Sequence, residues 1–123
     1  MEDQALTGWS IRFYKDAEGD SPVEQFLDGL PIHEQAGAKR VLQLLSEYDL
    51  LLPSTYAKAL TGHRKLWELR TGPNRMLYFA VTGRAIIILH GFRKKSMKTP
   101  AQEIATAERR MSDYLARKRS DNR

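Results

Sequence analysis

The sequence predicts an α+β domain: an antiparallel-rich sheet of four strands with a helical hairpin and a C-terminal helix packed on it, in the order β-α-α-β-β-β-α. Three observations carry this. The hydrophobic period is helical in much of the first half and strand-like in the second. Short turns separate the last three apolar runs, which makes those runs an antiparallel meander. Two segments open with a small hydroxyl residue followed by proline, Ser21-Pro22 and Thr99-Pro100, and each precedes apolar residues at helical spacing.

Residues 1–8 form a loose start. Trp9, Ile11 and Phe13 then alternate with Ser10, Arg12 and Tyr14, the pattern of a strand with one buried face. Asp16 to Asp20, with Gly19, makes a turn. Ser21 can cap a helix that has Pro22 in its first turn and Glu24 to complete a capping box. Val23, Phe26, Leu27 and Leu30 follow it. Gly29-Leu30-Pro31 breaks this helix and starts another, whose apolar stripe is Ala38, Val41, Leu42, Leu45 and Tyr48. The link is short, so the two helices form a hairpin. Leu50 to Pro53 ends it, and residues 54–65 are expected to be irregular.

Leu66 to Arg70 and Arg75 to Val81 are strands joined by the turn Thr71-Gly72-Pro73-Asn74. Thr82-Gly83 turns again. Ala85-Ile86-Ile87-Ile88-Leu89 is continuously apolar, as befits a strand buried on both faces, and His90 closes it. Ile104, Ala107, Met111, Tyr114 and Leu115 mark the last helix, and residues 117–123 are a frayed basic tail. The helices are expected to cover one face of the sheet and leave the other partly open.

At 123 residues the chain fits a single domain, 1–123, with a core over about 9–116. Apolar residues make up 41% and charged residues 28%, enough for a small core. There is no cysteine, which excludes disulfides and thiolate metal sites and suits a reducing compartment. No apolar run is long enough to span a membrane, and the start, Met-Glu-Asp-Gln, does not resemble a secretion signal. The expectation is a soluble, cytoplasmic protein with no membrane partner.

The charge is unevenly placed. Residues 1–57 carry 4 Lys/Arg and 10 Asp/Glu, residues 58–98 carry 10 and 1, and residues 99–123 carry 6 and 4. The segments are therefore −6, +9 and +2 within a chain of +5. A block with a single acid, Glu68, makes a positive surface suited to phosphates.

Four stretches within this block and just after it are specific when taken together: Leu66-Trp67-Glu68-Leu69-Arg70, Arg75-Met76-Leu77-Tyr78-Phe79, Ile88-Leu89-His90-Gly91-Phe92-Arg93-Lys94-Lys95, and Lys98-Thr99-Pro100. Together they resemble the phage-derived, HigB-like branch of the RelE/ParE toxin superfamily, over residues 9–116. The resemblance implies a RelE-like fold and a type II toxin–antitoxin system with a helix-turn-helix antitoxin in a hetero-oligomer. It also implies ribosome-dependent cleavage of mRNA, a hydrolase or nuclease activity with no metal and no organic cofactor.

Such chemistry needs the 2′-hydroxyl deprotonated, the phosphate's growing charge balanced and the 5′-oxygen protonated. The resemblance implies phosphate-stabilising arginines, first Arg75 and then Arg70, on either side of the Thr71–Asn74 turn. A guanidinium holds two phosphate oxygens at once. His90 is the candidate acid/base and His63 its substitute, whereas His33 is structural. Lys94 and Lys95 are the lysines closest to a bound phosphate. Arg93 and Lys98 position the RNA backbone, and Arg64 and Lys65 contact messenger or ribosomal RNA. Phe92 leaves the sheet beside these cations and is the candidate for base stacking. Tyr78, Trp67 and Leu69 are core, and Glu68 can orient Arg70 or Arg75. The motifs of nucleotide-binding loops and serine hydrolases are absent. Two other readings stay open: a gyrase-inhibiting toxin of the ParE kind, and a non-catalytic basic RNA- or protein-binding module.

Overall fold

The computed structural model describes residues 8–63 and 65–121. Its strands are β1 (Ser10–Phe13), β2 (Ala57–Ala59), β3 (Trp67–Thr71), β4 (Asn74–Val81) and β5 (Ala85–Arg93). Its α-helices are α1 (Pro22–Asp28), α2 (Ile32–Tyr48) and α3 (Ala101–Asp121), and a short 3-10 turn over Asp49–Leu51 follows α2.

The local signals for the hairpin hold. Ser21 Oγ accepts the Glu24 N–H at 3.3 Å, with Pro22 in the first turn of α1. Gln35 then closes the hairpin from α2 by donating to the carbonyls of Asp28 and Leu30, at 3.1 and 2.9 Å. These are the orphan carbonyls that end a helix. Ala38, Val41, Leu42 and Leu45 are buried along α2. Tyr48 is not: it stands 51% exposed, past the last turn that faces the sheet.

The sheet has five strands, in the order β1-β5-β4-β3-β2. β1 runs parallel to β5, from Ser10↔Ala85 to Phe13↔Ile88, and all other pairs are antiparallel. The expected meander is β3-β4-β5. The fifth strand, β2, corrects the expectation of four. It lies in the stretch expected to be irregular and pairs Ala57 with Leu69 and Ala59 with Trp67. Three residues are too few to display a period, and only the partner strand makes them extended.

Helices cover both faces, where one was expected to stay open. α1 and α2 pack on Leu69, Met76, Tyr78, Ile86 and Ile88. On the other side α3 packs on Leu66, Leu77, Phe79, Ile87 and Leu89 through Ile104 and Ala107. The cause is visible in β4 and β5, which are apolar at both parities. Each fully buried Leu, Ile or Phe contributes about 1.5–3 kcal/mol, so neither face is stable uncovered.

Tyr14 joins this second layer. It is buried, its hydroxyl donates to Asp113 at 2.6 Å, and its ring lies 5.8 Å from the Arg110 guanidinium. Arg117 donates to Asp113 and to the Lys15 carbonyl. The expected frayed tail is therefore helical through Asp121. Among the described residues no helix is long and apolar enough to cross a membrane.

Candidate functional site

A β-bulge decides what the site contains. Leu77 pairs with His90, yet the next residue of β4, Tyr78, pairs with Ile88, so Leu89 is an extra residue on β5. Ile86 and Ile88 face α1 and α2, and strict alternation would send His90 the same way. The bulge reverses the parity. His90 and Phe92 turn toward α3, and Gly91 turns toward α1, where a Cβ would lie 2.6 Å from the Phe26 ring. His90 does not close the strand, because β5 runs on to Arg93.

The register then places Arg75 opposite Phe92 and Arg70 opposite Arg75. Arg70, Arg75, His90 and Phe92 thus share the α3 side of the sheet. Arg93 does not join them. It pairs with Asn74 across the ladder and donates to Glu34 of α2 at 2.9 Å, and Asn74 reaches the same carboxylate oxygen at 3.0 Å. An ion pair to the opposite layer thus holds the residue expected to position RNA. His33, beside Glu34, is exposed.

Arg70 Nε donates to Glu68 Oε1 at 3.3 Å, and Thr99 Oγ1 donates to Glu68 Oε2 at 2.6 Å. Glu68 is only 2% exposed, so this pair of partners is what lets a carboxylate stay inside. Arg75 folds back over the turn, its NH1 donating to the carbonyls of Gly72 and Asn74 at 2.6 and 2.9 Å. Its Nε is buried without a partner among the described residues. Burial and, more weakly, Arg70 push the Arg75 guanidinium below its ordinary range, with Glu68 opposing. Like charges facing each other across a ladder are destabilising, and a bound anion would relieve them.

His90 is enclosed. Nε2 lies 2.5 Å from Glu103 Oε1, and Arg110 NH1 lies 3.2 Å from Nδ1. The neutral tautomer with its proton on Nε2 satisfies both contacts, since Nδ1 then accepts from arginine. Burial is the main cause of a lowered His90 pKa. The Glu103 hydrogen bond opposes it, and the charge of Arg110 adds to it. Phe92 stacks on this ring with centroids 5.6 Å apart and is 7% exposed. It does not leave the sheet, so a base cannot reach its face as expected; the extension of β5 holds it inside. Tyr78 is core, stacked on the partly buried Trp67, and Leu69 is fully buried.

The open chemistry lies next to this row. A cleft of about 660 Å³ runs between the β2–β3 connection and the first turns of α3. Lys58, Arg70, Lys94 and Lys98 line it, with His63 and Glu108 on its wall and Glu68 at its floor. His63 Nδ1 is 3.0 Å from Glu108 Oε2, and its Nε2 has no partner among the described residues. Lys94 is set in place by its N–H, which donates to the Pro73 carbonyl at 2.8 Å. Lys95 is exposed beyond the cleft, and Lys65 is exposed in a tight turn at φ +72°. Arg64 lies outside the described residues.

Lys58, Glu103, Glu108 and Arg110 escaped the sequence reading. One signal existed for the helix residues: Glu103 and Arg110 are two turns apart, so they share a face beside the buried Ile104 and Ala107.

A family model described as phage-derived protein Gp49-like matches residues 25–112. No curated protein matches the chain in sequence. Among solved structures, the fold is similar to a chain of the RelBE2 toxin–antitoxin complex of Mycobacterium tuberculosis. The identity is 20% and the TM-score 0.54, over 71% of this chain and 99% of that one. It is also similar to a chain of the archaeal RelE–RelB complex of Pyrococcus horikoshii OT3. Here the identity is 19% and the TM-score 0.54, over 70% of this chain and 94% of that one. With the match spanning four of the five strands, the whole of α2 and parts of α1 and α3, the chain belongs to the phage-derived Gp49-like family, and it carries a RelE-like fold.

Proposed function

We propose that this protein is the toxin of a type II toxin–antitoxin pair and a ribosome-dependent endoribonuclease that cuts translated mRNA in the cytoplasm. One observation carries the reading: Arg70 and Arg75 face each other across the ladder at the edge of a cleft lined by Lys58, Lys94 and Lys98. The two solved complexes pair a RelE-type chain with an antitoxin, which supports a partner of that kind here. A helix-turn-helix antitoxin in a hetero-oligomer is part of the same proposal.

In this reading the arginines balance the charge that builds on the scissile phosphate as the 2′-hydroxyl attacks. The cleft lysines hold the flanking backbone, and Lys95 and Lys65 meet the ribosome or the message further out. Bond breaking gives a 2′,3′-cyclic phosphate and a 5′-hydroxyl, and it needs neither a metal nor an organic cofactor. His90 is the first candidate for the proton transfer, which requires Arg110 to release Nδ1, the nitrogen that carries the lone pair of the neutral ring. A second reading gives this role to His63, which lines the open cleft while His90 lies under α3.

Primer extension on mRNA in a translation extract tests the proposal. The expected result is cuts within translated codons that weaken by about 100-fold or more in Arg75→Ala, the scale of losing one charge-stabilising donor. Loss of DNA supercoiling with intact mRNA would replace it with the gyrase reading, and neither effect would leave a non-catalytic binding module. Activity that survives in His90→Ala but not in His63→Ala moves the proton transfer to His63.

A further inference from the structure

A second depression, of about 440 Å³, lies on the other side of Arg70, where β2 has not yet begun and the rim of β3 meets α2. Arg40, Thr55, Tyr56, Arg70 and Arg75 line it, and no Asp or Glu is among its lining residues. Arg40 is exposed on α2 and forms no ion pair among the described residues. Arg75 brings a buried Nε without a partner among the described residues. Tyr56 is 38% exposed, and its position is fixed by its carbonyl, which accepts the Arg70 N–H at 2.6 Å.

Arg40 and Arg75 face this hollow with no carboxylate partner among the described residues, beside Arg70, which is paired with Glu68, and a forked anion such as a phosphate diester would relieve their repulsion. An exposed aromatic ring beside cations is the pattern by which unpaired bases are held, through stacking on one face and charge along the backbone. Arg70 lines both this groove and the cleft, so the two adjoin at its guanidinium.

We propose that the Arg40–Tyr56–Arg75 groove is a binding subsite for a single-stranded RNA nucleotide flanking the cleft. Arg40 holds its phosphate and Tyr56 stacks its base, while Arg75 stands between this phosphate and the scissile one. The subsite rests on the RNA-cutting reading and extends it to Arg40 and Tyr56, which the sequence did not single out.

The test uses the full-length chain and a labelled single-stranded RNA oligonucleotide, with affinity measured by anisotropy over a range of salt. Arg40→Ala is expected to weaken binding and to reduce the slope of log K against log salt by about 0.7, the share of one phosphate contact on a single strand. Tyr56→Leu is expected to weaken binding by about 5-fold or more, while Tyr56→Phe, which keeps the ring, retains it. In cleavage assays Arg40→Ala raises KM more than it lowers kcat. Unchanged affinity and slope in both Arg40→Ala and Tyr56→Leu overturn the subsite while leaving wild-type cleavage, and hence the nuclease reading, intact. Wild-type protein that neither binds nor cuts RNA overturns the nuclease reading itself, and the subsite with it. If Arg40→Ala loses affinity for an acidic peptide but not for RNA, the groove serves a protein partner and the inference is wrong.

Discussion

His90 of β5 and Glu103 in the first turn of α3 meet at 2.5 Å, and Arg110, two turns further along the helix, closes the other side of the ring. This contact fastens the start of α3 to the sheet beside the candidate site, so the state of one imidazole bears on both stability and access.

Stability is expected to fall on mild acidification because of His90. Its folded pKa is lowered, chiefly by burial, so the unfolded chain binds more protons near its ordinary value. The stabilising contribution is complete above about pH 6.5 and is lost as the pH falls from there through the lowered folded value. Urea midpoints measured between pH 5 and 8 should decline in the wild type and flatten in His90→Gln. Glu34 and Asp113 act lower on the scale. Hydrogen bonds hold both carboxyls below their ordinary range, from Asn74 and Arg93 for Glu34 and from Arg117 and Tyr14 for Asp113. Their contributions are present above the ordinary carboxylate range and are lost only as the pH falls through those lowered values. An equal decline in His90→Gln over the mild range would assign the effect to other groups.

Gly91→Ala is expected to destabilise by about 1–3 kcal/mol, because an added methyl must displace an aromatic ring in a packed layer. The built Cβ comes within 2.6 Å of Phe26 Cδ2 and 3.2 Å of Cγ, so the whole ring has to move. In a Phe26→Leu background the cost of Gly91→Ala should shrink, and a double-mutant cycle from denaturant titrations measures that coupling. Additive effects would show that the ring is not what excludes the methyl group.

Binding of single-stranded RNA is expected to weaken steeply with salt, since the +9 segment from residue 58 to residue 98 supplies most of the cleft cations. Titrations between low and physiological ionic strength give the slope. Charge reversal at Lys58 or Lys98 should make it shallower, whereas Arg93→Ala, whose guanidinium is tied to Glu34, should change it least. An Arg93 effect as large as that of Lys98 would show that the ion pair opens on binding.

The sequence by itself determined whatever depends on neighbours along the chain. Ser21-Pro22 set the start of α1, Gly29-Leu30-Pro31 the break, the Gly72 and Gly83 turns the meander, and residues 58–98 the basic surface. These are short-range effects of capping, backbone freedom and charge. The arginine pair was legible for the same reason, because a tight turn puts Arg70 and Arg75 opposite each other without help from the rest of the fold. Only the tertiary structure decided which face each residue of β5 presents. In the run Ile86 to Leu89 every position is apolar, so no period marks the bulge that turns His90 and Phe92 toward α3. The same holds for β2, too short to declare itself, and for Arg93, diverted by a carboxylate 59 positions away. It also holds for the second helical layer, which exists because both faces of β4 and β5 had apolar surface to bury.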